Sequence, residues 1–129
     1  MLRVGIIGVG TVGASVANIL RDNKNIITAR AGKEIVATIG VVSNLHKIRD
    51  VDIKLTDNID DVLNDDSIDV VVELMGGIDK PNEIVRKALL KGKAVVTANK
   101  ALLAYHRYEL QELAGDIPFE FEAAVAGGI

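Results

Sequence analysis

The sequence has no cysteine and no tryptophan, and its only prolines are Pro81 and Pro118. Without cysteine there are no disulfides and no thiolate metal ligands. The two histidines, His46 and His106, are too far apart to form a metal-ligand spacing. Aromatic residues are equally scarce. Tyr105, Tyr108, Phe119 and Phe121 are the whole set, so a core must be built from valine, isoleucine, leucine and alanine. There is no basic block, and the net charge is −3. That argues against nucleic acid as a partner, because a phosphate backbone calls for a clustered positive surface. No apolar run reaches the ~20 residues that cross a bilayer. The opening "MLRVGIIG" lacks the layout of a secretory signal. The expectation is a soluble, cytoplasmic protein that binds neither membrane nor nucleic acid.

What remains is 129 residues, about half of them hydrophobic and a quarter charged. That suits one globular domain over residues 1–129. Its aliphatic, β-branched composition suits a sheet buried on both faces. Strand-like runs fall at residues 3–8, 34–42, 53–55, 69–74 and 93–98, and a last one starts at Pro118. Between them lie helical patterns. Residues 11–22 place Val12, Val16, Ile19 and Leu20 on one face. Asn58 is positioned to cap a short helix that buries Ile59, Val62 and Leu63. Asp79 and Pro81 open a helix with Ile84, Val85, Ala88 and Leu89 inward, and Gly92 ends it. Residues 100–114 continue as a helix with a candidate break at Tyr105–His106. The stretch "NKNIITARAGK" either extends the first helix or forms a long surface loop.

This alternation implies an α/β fold, a doubly wound parallel sheet with right-handed crossovers and helices on both faces. Ligands in such sheets bind beyond the carboxyl ends of the strands. Four features fall at such ends: residues 8–13, 43–49, 75–77 and 99–100.

The first is "GVGTVG", with Gly8, Gly10 and Gly13 in G-x-G-x-x-G order. One glycine turns the strand, the next admits a pyrophosphate to the backbone, and the third lets helix and strand pack closely. The helix start adds free N–H groups and partial positive charge. The pattern reads as a dinucleotide site, with a purely structural turn as the alternative. The acidic residue that usually closes the second strand of such a site is missing, and Ser43 and Asn44 stand there instead. Its absence, with Lys47 and Arg49 nearby, admits the 2′-phosphate of NADP; the alternative is that both are ordinary solvated charges. Lys100 follows the fifth strand directly, flanked by Thr97 and Asn99. At that end of the sheet a lysine is a candidate for proton transfer or substrate binding. Most lysines are surface charges, and that alternative stays open.

"GVGTVG", "VVVELMGG", "VVTANKALLA" and "FEAAVAGGI", in this order, resemble homoserine dehydrogenase over essentially the whole chain. The resemblance covers only the N-terminal part of that family's sequence. It implies a Rossmann-type nucleotide-binding domain, followed in the full-length protein by a catalytic and dimerisation domain. It also implies interconversion of L-homoserine and L-aspartate 4-semialdehyde with NADP or NAD, in threonine, methionine and isoleucine biosynthesis. Gly8, Gly10, Thr11, Val12 and Gly13 would line the pyrophosphate site. Met75, Gly76 and Gly77 would lie toward the nicotinamide, and Lys100 would contact cofactor and substrate. Many members carry Arg or Lys where Ser43 stands, which leaves the choice between NAD and NADP open.

The family's monovalent cation site, usually sodium, would fall on Glu122, Val125, Gly127 and Ile129. Read without the resemblance, these residues only pack or face solvent. A homodimer would form through residues beyond this chain, and the family's second lysine and its homoserine-binding acids would lie there as well. The ending "EAAVAGGI" thus reads as a cut between two domains, with an expected exposed or mobile end and an empty cation site. Two rival readings are another semialdehyde-type dehydrogenase and a non-catalytic dinucleotide-sensing module.

Overall fold

Strand and helix alternate from the N-terminus onward in the computed structural model, which describes residues 1–46 and 51–121 and, for Thr11 and Val12, the backbone only. The elements are β1 (Leu2–Ile7), α1 (Thr11–Asp22), α2 (Lys24–Ala31), β2 (Ile35–Val41), β3 (Lys54–Thr56), α3 (Asp60–Leu63), β4 (Val70–Glu73), α4 (Asp79–Leu90), β5 (Ala94–Thr97), α5 (Lys100–Ala114) and β6 (Phe119–Glu120). The strands form one sheet in the order β3-β2-β1-β4-β5-β6, and every pairing is parallel. The chain winds outward from β1 in both directions, so the order reverses between β1 and β4. This is the doubly wound architecture expected from the alternation.

Both faces of the central strands are covered, which explains why their sequences are continuous apolar runs rather than alternating ones. Ile7, Val41, Val71 and Val95 point to one face. There they meet Val62 and Leu63 of α3, Ile84, Val85, Ala88 and Leu89 of α4, and Leu102, Leu110 and Ala114 of α5. The inner face read for α4 is buried at every position. Val4 and Ile6 point to the opposite face, with Ala17 of α1.

The structure differs from the sequence reading in four local respects. First, the buried stripe of α1 is centred on Gly13 and Ala17; Val16 packs against the same core and Leu20 is half-buried, Ile19 is 54% exposed, and the Val12 side chain lies outside the described residues. Small residues let the helix approach the sheet closely and carry Ile19 to the flank. Second, "NKNIITARAGK" forms a separate helix, α2, with no buried residue. It stops at Gly32, whose left-handed backbone donates its N–H to Thr28. Third, α5 runs unbroken through Tyr105 and His106, where no glycine or proline interrupts it. Fourth, the small helix α3 begins at Asp60. Asn58 still organises its start by accepting the Asp60 N–H at 3.0 Å. Of the expected last strand, residues 119–120 form β6, Pro118 and Phe121 flank it outside the strand, and residues 122 onward lie outside the described residues.

The register decides what shares an edge. Ile7 pairs with Val41 on one side and Glu73 on the other, and Glu73 pairs with Thr97. The ends of β2, β1, β4 and β5 therefore form one row. The four sequence features at the strand ends all leave from this row.

Candidate functional site

The glycine turn follows β1. Gly8 has φ +98°, a conformation that disfavours any other residue. A side-chain carbon there would also sit 3.1 Å from the Leu74 carbonyl and the Met75 nitrogen. A carbon on Gly13 would sit 2.6 Å from the Gly8 oxygen. Helix α1 thus starts hard against the turn. Gly10 faces open space. It precedes a helix that has no side-chain cap and no acid in its first turn. The first amides of a helix have no partner within it. With no cap and no acid among the described residues of that turn, they suit an anion approaching over Gly10. This arrangement fits a pyrophosphate.

A crevice of about 490 Å³ opens beside the turn. Ile7, Val41, Ile59 and Met75 supply apolar walls, and Gly8, Ser43, Asp57 and Lys80 also line it. An apolar slot next to an anion site suits a flat heteroaromatic base joined to a phosphate. The structure thereby brings Gly8, Ser43 and Met75 around one space. Ser43 and Asn44 are exposed, and the Asn44 side chain accepts the His46 N–H at 2.9 Å. Lys47 and Arg49 lie outside the described residues, as do Glu122, Val125, Gly127 and Ile129. Among the described residues, no three His, Asp or Glu side chains gather as metal ligands. No described helix is long and apolar enough to cross a membrane.

The ends of β4 and β5 meet in a buried polar network. Asn99 caps α5 by accepting the Leu102 N–H at 3.0 Å. Its amide donates to the carbonyls of Met75 at 3.2 Å and Gly77 at 2.8 Å. Thr97 accepts the Asn99 N–H and donates its hydroxyl to Glu73. The side chains of Thr97 and Asn99 are thus committed to shaping the site from behind. Lys100, the first residue of α5, and Gly76 and Gly77 are exposed at the surface of this network.

Glu73 was not foreseen from the sequence. A signal existed: an acid that ends an otherwise apolar strand and points, two residues on, to the same side as the buried Val71. A buried carboxyl there must have partners. It is fully buried, and burial pushes it above the ordinary carboxylate range, opposed by hydrogen bonds from Thr97, Met75 and Asn99. An acid raised on folding favours the native state at low pH, and that contribution is lost as pH rises from the ordinary value of 4.5 through the raised one. Glu73→Gln, which cannot ionise, is therefore expected to gain melting temperature relative to the parent as pH rises from 4.5 through the raised value. Paired thermal melts across that window check it, and a gap that stays constant would contradict the sign.

A glycine turn that opens a helix beside the reversal point of a 3-2-1-4-5-6 parallel sheet defines a dinucleotide-binding domain of the Rossmann type. The model of one family, the NAD binding domain of homoserine dehydrogenase, matches residues 8–118, and the chain belongs to that family. It is 46% identical to the homoserine dehydrogenase of Helicobacter pylori over 128 residues, which is 99% of this chain and 30% of that protein. With the Bacillus subtilis enzyme it shares 38% over 133 residues, 99% of this chain and 31% of the relative. The crystal structure of Staphylococcus aureus homoserine dehydrogenase at pH 7.5 superposes with a TM-score of 0.88 at 38% identity, covering 95% of this chain and 33% of that one. The chain thus spans about a third of the length of the relatives it matches.

Proposed function

We propose that residues 1–129 serve as the nucleotide-binding part of a longer cytoplasmic enzyme that interconverts L-homoserine and L-aspartate 4-semialdehyde. The nicotinamide of NAD or NADP supplies the hydride acceptor or donor for that chemistry when bound. The amides after Gly10 hold the pyrophosphate, and the apolar crevice beside Gly8 and Met75 excludes water from the adenosine. Gly76 and Gly77 present bare backbone toward the nicotinamide. Lys100 faces cofactor and substrate, with its ammonium available to the substrate's oxygen. Homodimer formation, and the cation ligands at Glu122, Val125, Gly127 and Ile129, belong to the same reading and rest on resemblance to the family.

The observation that carries this reading is the link from Asn99 to Gly77, at the edge that also bears the glycine turn. It ties the start of α5, which carries Lys100, to the loop that carries Gly77, and so supports reading Lys100 as turned toward the cofactor. Lys100 also stands where stability would not choose it. A cation at a helix N-terminus opposes the helix dipole at a cost of about 0.3–1 kcal/mol.

The isolated chain is expected to bind dinucleotide but not to turn over homoserine, because two-thirds of the length of its relatives is missing from it. Fluorescence titration with NADH and NADPH tests the first part. It also decides whether Ser43, in place of an acid, admits the 2′-phosphate. Absorbance at the reduced-nicotinamide band, with homoserine and NADP present, tests the second. Failure to bind either nucleotide would sink the reading, and so would turnover at an ordinary dehydrogenase rate, a kcat of order 1–10³ s⁻¹.

A further inference from the structure

Glu73 sits in a buried ring of hydrogen bonds whose donors converge on its carboxylate. The Met75 N–H donates to one oxygen at 2.8 Å. The Thr97 hydroxyl donates to the other at 2.6 Å. Thr97 can do so because its oxygen already accepts the Asn99 N–H at 3.1 Å, which leaves its own proton free. Asn99 closes the ring by donating to the Met75 carbonyl. The ring joins two backbone segments that no strand pairing connects. One is the loop after β4, which carries Gly76 and Gly77. The other is the start of α5, which carries Lys100.

Stability does not explain the acid. Glu73 lies between Ile7 and Thr97 in its row, on the same face as Val71 and Val95. An apolar residue of similar volume in such a place is often neutral or stabilising, because it avoids desolvating a charge. What an apolar residue cannot do is accept a backbone N–H and a hydroxyl at once. We propose that Glu73 is a positioning residue of the nucleotide site, fixing the Met75–Gly77 loop relative to the Lys100 end of α5 without itself touching ligand. This rests on reading the crevice as a dinucleotide site.

The test compares Glu73→Leu and Glu73→Gln with the parent chain by three measurements: melting temperature, exchange rates of individual backbone amides, and affinity for NADPH by fluorescence. Glu73→Leu is expected to hold or raise the melting temperature. The amides of Met75 and Asn99 nevertheless exchange faster, while those within the β1–β4 pairing do not. Its NADPH affinity falls about tenfold, within the range by which small misplacements of a site act. Glu73→Gln can accept the Met75 N–H through its oxygen and donate to Thr97 through its nitrogen. It is expected to recover both exchange and affinity to within about threefold, as retained hydrogen bonds predict.

A purely structural glutamate would make affinity follow melting temperature and would not be rescued selectively at these two amides. Parent-like affinity and exchange in Glu73→Leu would overturn the proposal, as would losses that merely track a lower melting temperature. Should Glu73→Leu fail to fold, Thr97→Val removes the hydroxyl link with nearly the same volume. It must then speed exchange at Asn99, or the proposal fails. If the parent itself binds no dinucleotide, the functional reading falls, and the amide exchange still decides whether Glu73 holds the two segments.

Discussion

Gly13→Ala is expected to lower both the melting temperature and the affinity for dinucleotide, against the direction that helix propensity predicts. Gly13 is in the first turn of α1. Alanine is favoured over glycine within a helix by about 1 kcal/mol, so on local grounds the substitution should stabilise. The added carbon, however, would lie 2.6 Å from the Gly8 oxygen. That neighbour is backbone, held in turn by the N–H of Gly8 donating to Val41 at 3.0 Å and that of Gly10 donating to Gly8 itself. It cannot swing aside as a side chain would. Forcing an extra carbon into a packed site costs about 1–3 kcal/mol, which outweighs the propensity gain over most of its range. Any relief must displace the turn or tilt α1, and either movement misdirects the amides that the proposed function assigns to the pyrophosphate. A loss in affinity of at least about tenfold, or 1.4 kcal/mol, is expected by NADPH titration. A higher melting temperature with unchanged affinity would show that the turn has slack its backbone packing denies.

Leu110→Ala is expected to cost about 2–5 kcal/mol of stability, the range for removing most of a buried leucine from a core that relaxes incompletely. Leu110 is fully buried on the inner side of α5, in the core that also holds Val95 of β5 and Leu89 of α4. The small propensity advantage of alanine over leucine cannot offset this. The cost is a large share of the about 5–15 kcal/mol that holds a domain folded. Leu90→Ala makes the same chemical change one residue before the C-cap of α4, where the side chain is 72% exposed. It should fall within about 0.5 kcal/mol of the parent. Urea denaturation of the two variants side by side checks the contrast, and equal costs would mean that α5 does not pack as described. The pair also shows how burial overrides residue type, since both are leucines of amphipathic helices.

Much of the site was legible because its signals are local. The glycine spacing, the apolar run before it and the amphipathic pattern after it are relations between near neighbours in sequence. The turn and α1 follow from them directly. The inner face of α4 was legible for the same reason, since four apolar residues recur at helical spacing between a start signal and a stop. The face of α1 was misjudged because periodicity weighs large apolar residues and overlooks small ones. Ala17 and Gly13 are buried because they are small enough to let the helix come close. The break expected at Tyr105–His106 did not occur, since neither an exposed tyrosine nor a half-buried histidine disturbs the backbone hydrogen bonds of a helix.

The sequence by itself thus determined the strands, their parallel winding, the glycine turn and the family, all of which depend on residue order and short-range spacing. Only the tertiary structure decided that Glu73 is buried, that Thr97 and Asn99 serve each other before any ligand, and that Lys100 begins a helix tied to Gly77. Thr97 reaches Glu73 across 24 residues of sequence, and Asn99 reaches Gly77 across 22. Nothing in either segment specifies the other's register. The pairing of β4 with β5 does so, because in a parallel sheet it is register that sets which residues at the carboxyl ends can share a hydrogen bond.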